Sequence, residues 1–224
     1  MVRFVAALAV AGIALVATMT DRTRADANAD SALIAAAEQG DVGTVRQLLR
    51  AGAAVDTRDR AGRTALLAAT QSNRVEAARA LIAAGADVNA KDGIQDSPYL
   101  YAGAEGRNEI LKMTLAAGAD LKSVNRYGGT ALIPAAHHGH PETVRILLGT
   151  AIDKDHVNNL GWTALLEAVI LGDGAAVHTD IVGQLVAAGA NVNIADRDGV
   201  TPLAHARRRG FATIAGILHS AGAH

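Results

Sequence analysis

The sequence predicts an all-α solenoid of six helix–turn–helix units with β-hairpin-like fingers, and three observations carry that expectation. A residue pattern returns every 33 positions: Ser31, Thr64, Ser97, Thr130 and Thr163 are each 33 apart, and Thr201 follows after 38. Each of these hydroxyl residues opens one short apolar stretch, and a second stretch of helical spacing follows it. Half of the residues are hydrophobic, many of them alanine, and only 3% are aromatic, which suits thin helices stacked closely. One such unit cannot bury its apolar face alone, whereas six in a row share a continuous core.

The elements of a unit follow in order. The hydroxyl residue reads as a helix N-cap, its oxygen accepting from a free backbone N–H of the first turn. Pro98 and Pro202 fall at the next position, where a missing N–H costs nothing. Nine residues after the cap stand Gly40, Asn73, Gly106, Gly139, Gly172 and Gly210; these types tolerate positive φ and are expected to stop the first helix. The second helix carries apolar residues such as Val45, Leu48 and Leu49, or Val144, Leu147 and Leu148, and ends near Gly52, Gly85, Gly118, Gly189 and Gly222. A short extended piece closes the unit, "ADVNAKDG" from Ala86 or "ANVNIADRDG" from Ala190, with the Asp, Asn and Gly of a tight turn. The expected units are about 30–58, 59–91, 92–124, 125–157, 158–195 and 196–224, within one domain over 28–224.

Residues 1–27 break the pattern. Met1 to Arg3 form a small basic start, Phe4 to Ala17 are almost wholly apolar, and "TRADA" leads to Ala25-Asp26-Ala27. Fourteen apolar residues are short for a bilayer span, which needs ~20. The reading is a signal peptide cleaved after about Ala27, with an uncleaved anchor as the alternative; either way the repeats are exported. The chain has no cysteine, so disulfides, thiol catalysis and cysteine-linked lipid are excluded. A soluble periplasmic protein is expected, without integral membrane association after cleavage. That cleavage takes three arginines (Arg3, Arg22, Arg24) and two aspartates (Asp21, Asp26) from totals of 21 and 22, leaving a net charge of −2. No nucleic-acid partner is expected, since the basic footprint of that role is missing.

No motif of an enzyme stands out: there is no P-loop, G-x-S-x-G, H-E-x-x-H or dinucleotide fingerprint. His137, His138 and His140 are the candidates for a metal site, with His137 and His140 three apart, but Gly139 should end the helix between them. A structural or surface role is the competing reading, and no cofactor is expected. Asp196 and Asp198 belong to a finger turn, and His205 with Arg207, Arg208 and Arg209 reads as a solvated basic cap.

The segments "DRAGRTALLAATQSN", "NRYGGTALIPAAHHG" and "DRDGVTPLAHARRRG" resemble the ankyrin-repeat pattern D-x-x-G-x-T-P-L-x-x-A-A-x-x-G, over roughly residues 30–224. There are departures. The His that usually follows T-P-L is replaced by Ile34, Leu67, Leu100, Ile133, Leu166 and Ala204; Gln95 replaces a finger glycine; Ala151 stands where a post-helix glycine is expected. "QDSPYLYAGAEG" and "LGWTALLEAVILGDG" are similar to bacterial exported ankyrin proteins.

The resemblance implies a non-enzymatic scaffold that holds a protein partner on a concave face made of fingers and first helices. The fingers would supply Arg60, Arg63, Ile94, Arg126, Tyr127, Leu160, Trp162, Arg197 and Val200; the first helices would supply Gln71, Ser72, His137, His138, Ile170, Leu171, Arg208 and Arg209. Tyr127, Leu160, Trp162, Ile170 and Leu171 concentrate large apolar groups in the fourth and fifth units, although Trp162 could equally cover a neighbouring finger. The resemblance also points to an antioxidant enzyme such as a catalase as the client. The alternatives are immunity against a secreted effector, or histidine-dependent metal binding. Five extra residues in "GDGAAVHTDIV" are expected to project as a loop from the far edge of the groove.

Overall fold

A computed structural model describes residues 29–224. The expected signal peptide and its cleavage site at Ala27 lie outside the described residues. Among the described residues twelve helices follow in pairs: α1 (29–39) and α2 (Val42–Arg50), α3 (Ala65–Gln71) and α4 (Val75–Ala83), α5 (Pro98–Ala104) and α6 (Asn108–Ala116), α7 (Leu132–His137) and α8 (Pro141–Leu148), α9 (Ala164–Ile170) and α10 (Ala176–Ala187), α11 (Pro202–Arg208) and α12 (Ala212–Ser220). First helices pack on first helices and second on second, so each layer runs the length of the stack. The residue two after each hydroxyl, Leu33, Leu66, Tyr99, Leu132, Leu165 and Leu203, is buried in every unit. Fully buried alanines such as Ala69, Ala102, Ala135 and Ala168 lie between neighbouring first helices and let them approach.

Four of the six expected caps form. Thr64, Ser97, Thr163 and Thr201 hold extended backbone, and each hydroxyl accepts from the N–H three residues on. Ser31 does not cap, because α1 is already helical at residue 29. Thr130 does not cap either: α7 begins two residues later, from Ala131 with helical backbone. The cause is Pro134. In the other units the residue four after the cap donates its N–H to the cap carbonyl, as Ala68 does to Thr64. Proline has no such N–H, so the Thr130 carbonyl instead accepts from Ile133 and the turn tightens. The Thr130 hydroxyl is left buried without a partner among the described residues.

The fingers are held by one repeated device. Asp59, Asp92, Asn125, Asn158 and Asp196 each turn Oδ1 inward to accept two backbone N–H groups, from the second and fourth residues on. Among the described residues the only β-bridge outside the turns joins Arg58 and Thr64, so the fingers are hairpin-like without forming strands. Gln95 keeps the geometry of the glycine it replaces by adopting φ 70°, and the Asp92 bracket around it is intact. Ala151 does not adopt positive φ. The Thr150 hydroxyl accepts from the Ile152 N–H and donates to the Leu147 carbonyl, completing the helix end in another way.

Gly172 and the insertion depart from expectation. Positive φ falls on Gly174 instead of Gly172, and Gly172 is required for closeness: a Cβ there would overlap the Ala168 carbonyl oxygen. The five extra residues do not form a projecting loop. Three lengthen α10 to 12 residues against 9 in α4, and two lengthen the linker before it. The added turn packs back on the preceding unit, where the His178 ring bonds the His137 carbonyl at 3.0 Å and Asp173 at 2.9 Å.

The two threonines make opposite predictions. Thr163→Val removes a working cap and should cost about 1 kcal/mol. Thr130→Val removes an unpaired buried hydroxyl and should be neutral or stabilising. Denaturant midpoints of the two variants against the parent chain check both.

Candidate functional site

Residues four, seven and eight after the hydroxyl lie on one stripe of each first helix, one turn apart. In the third to fifth units this stripe supplies Tyr101, Ala104 and Glu105 from α5 and its C-cap, Pro134, His137 and His138 from α7 and its C-cap, and Glu167 and Leu171 from α9 and its C-cap. Together with Asp96, Arg126, Tyr127 and Leu160 from the fingers they line one concave depression of about 440 Å³.

Its rim carries large apolar groups open to solvent. Tyr127 is 54% exposed, Leu160 48% and Leu171 43%. Its polar groups form a chain across α5, α7 and α9. Glu167 is only 6% exposed; Asn158 donates to its Oε1 at 2.7 Å, and His137 Nδ1 lies 3.7 Å from its Oε2. The His137 and His138 rings are 4.8 Å apart. His138 Nδ1 is 2.7 Å from the Ala104 carbonyl oxygen and 3.9 Å from Glu105. Burial raises the Glu167 carboxyl above its ordinary range, against the lowering effect of the Asn158 bond. Burial, helped by the neighbouring His138 and His178, holds His137 below the usual histidine range. His140 is lowered in the same way, by burial first and then by His138.

Six of the expected residues therefore share one groove: Arg126, Tyr127, His137, His138, Leu160 and Leu171. The others are placed elsewhere. Arg63 is a strut, bonding Asp59 at 2.8 Å, Gln71 at 3.0 Å and Glu38 at 3.3 Å. Arg197 donates to the Asn159 carbonyl of the preceding finger. Arg60 and Arg208 are exposed and lie outside the groove lining, while Trp162 and Ile170 are half-buried and also outside it. Arg209 donates to the Val169 and Ile170 carbonyls and its guanidinium lies 4.5 Å from the Phe211 ring centroid.

Sequence reasoning missed Asp96, Tyr101, Glu105 and Glu167. The signal existed at the position four after the hydroxyl, which is Ala35 and Ala68 in the first two units but Tyr101, Pro134, Glu167 and His205 in the rest. Among the described residues no group of three or more His, Cys, Asp or Glu side chains has metal-site geometry, and no helix is long and apolar enough to cross a membrane.

These shifts set a pH dependence. With His137 and His140 lowered, the folded chain binds fewer protons than the unfolded chain just below the ordinary histidine value, so stability falls as pH falls through that range. Glu167, being raised, acts in the opposite sense lower on the scale, removing stability as pH rises out of the carboxyl range. The thermal midpoint should drop between about pH 7.5 and about pH 5.5. The drop should be smaller in a His137→Gln/His140→Asn variant, as calorimetry at the two pH values would read directly.

A profile of the family described as ankyrin repeats (3 copies) matches residues 5–92 and 100–195. No curated protein matches the chain. Among solved structures, an ankyrin repeat domain from Acinetobacter baumannii is 58% identical with a TM-score of 0.84, covering 86% of this chain and 98% of that one. The ankyrin repeat protein EF0377 is 44% identical with a TM-score of 0.82, covering 85% and 97%. The ankyrin repeat domain of Bcl-3, a member of the IkappaB protein family, is 28% identical with a TM-score of 0.78, covering 86% of each chain. The period of 33, the paired helices with bracketed fingers and these matches lead to one conclusion: the chain belongs to the ankyrin-repeat family.

Proposed function

We propose that this protein is a non-enzymatic scaffold that binds a client protein in the groove of its third to fifth repeats. Ankyrin repeats are in general protein-interaction modules, and the observation that carries the reading here is the clustering of Tyr127, Leu160 and Leu171, each more than two-fifths exposed, around one concavity. Apolar and aromatic groups held open to water on a rigid surface are what a partner's anchor residues cover. Rigidity comes from below: the Asn125 and Asn158 brackets fix the finger tips that carry Tyr127 and Leu160, so little ordering entropy is lost on association.

Export to the periplasm is part of the proposal and rests on the sequence of residues 1–27 alone. Protection of an antioxidant enzyme such as a catalase is the client role suggested by resemblance to exported ankyrin proteins. Affinity capture from the native extract on the immobilised chain, beside a Tyr127→Ala/Leu171→Ser variant, tests the reading. The expected result is one dominant client whose affinity falls at least tenfold in the variant, a loss of ~1.4 kcal/mol or more. An Ile94→Ser variant, altering an exposed group outside the groove lining, should retain it. Equal capture by all three proteins would remove the groove from consideration.

A further inference from the structure

The client groove carries more negative charge than its apolar rim explains. Three carboxyl groups, Asp96, Glu105 and Glu167, face it against one guanidinium, that of Arg126. Arg126 is already committed: its Nη1 lies 3.5 Å from Asp96, and its guanidinium carbon sits 5.1 Å from the Tyr127 ring centroid. The fold thus contains one worked instance of how a cation is held here, by a carboxylate and the face of a tyrosine.

Glu105 and Glu167 have no comparable partner. The nearest basic group to Glu105 is His138, and that ring's Nδ1 is turned to the Ala104 carbonyl at 2.7 Å, leaving Glu105 at 3.9 Å. Glu167 receives the Asn158 amide on Oε1, but its Oε2 has only His137 at 3.7 Å, beyond hydrogen-bond reach. Glu167 is more than nine-tenths buried, and its Oε2, which accepts no hydrogen bond among the described residues, opens onto the groove where a donor from outside can reach it. The same charge balance disfavours phosphate-rich or acidic partners.

We propose that the groove takes a projecting segment of the client that presents an arginine or lysine between apolar side chains, the cation seating at Glu167 with Glu105 adding negative field from beyond the two histidine rings, and the apolar flanks on Tyr127, Leu160 and Leu171. This deepens the client-binding reading of the same groove and rests on it. The cation donates to Glu167 Oε2, and Glu105 attracts it through space. Burial of its flanks excludes water and strengthens the pairing.

The test is a two-dimensional NMR titration of the isotope-labelled full chain with four blocked pentapeptides of apolar sequence, identical except for a central arginine, lysine, norleucine or glutamate. The arginine and lysine peptides should bind at least tenfold more tightly than the norleucine peptide, with shifts at His137, His138, Tyr127 and Leu171. Glu105→Gln and Glu167→Gln should each lower that ratio, and together bring it below about threefold. Glu105 is surface-placed and its variant keeps the fold if Glu167→Gln does not. Equal binding of the arginine and norleucine peptides, with shifts in the groove, would overturn the cation preference and leave the client groove standing. Shifts confined to other surfaces, or no binding of any peptide up to about 5 mM, would overturn both.

Discussion

Everything in this molecule depends on the inability of a single repeat to stand alone. Its first helices are only six or seven residues long from α3 onward and its second helices mostly eight or nine, lengths at which isolated helices do not persist in water. The stabilising burial lies between units, where Leu66, Tyr99, Leu132 and Leu165 form one continuous line and alanines hold neighbouring helices close. Stacking is thus the condition for helix formation as well as its consequence, and a local defect is carried by its neighbours. The fourth unit shows this: it lacks a hydroxyl cap at Thr130 and a glycine at Ala151, yet α7 and α8 form.

The same stacking makes the groove. A stripe of three positions on each first helix has no neighbour on its outward side, so six units lay six stripes in parallel, facing the fingers. In the first two units the stripe carries Ala35 and Ala68 at its first position, beside Glu38, Gln39, Gln71 and Ser72; in the third to fifth it carries tyrosine, proline, histidine, glutamate and leucine. Two of these side chains also brace the finger above them, Glu167 through Asn158 and His205 through Asp196, at 2.7 Å in both cases. Glu167, which gives the groove part of its charge, therefore also helps to fix a finger turn that gives it shape.

The fingers and the insertion illustrate two ways in which a unit accommodates change. A finger needs one side-chain oxygen to accept two N–H groups, and Asp and Asn both provide it, so the bracket forms in all five fingers although their sequences differ. The extra residues after α9 could have remained a loop; helix formation instead satisfied their backbone groups, and His178 found the His137 carbonyl on the preceding unit. That contact ties the turn behind the groove's histidines to α10.

Period, motif and composition were enough to read the fold class, the helix pairs, four of the caps, the finger turns and the concave face with Tyr127, Leu160, Leu171, His137 and His138 on it. These are local or periodic properties: a hydroxyl before an apolar run caps a helix whatever lies beyond, and a 33-residue repeat places equivalent residues on equivalent faces. Only the tertiary structure decided which exposed candidates stand together. Arg63 and Arg197 were drawn into struts between units, Trp162 was half-buried outside the groove, and Glu167 was buried in its wall. The physical reason is that such a side chain's partner sits about a whole repeat away in the chain, as His137 does from Glu167 and Glu38 from Arg63, so pairing depends on reach and burial that no single repeat contains.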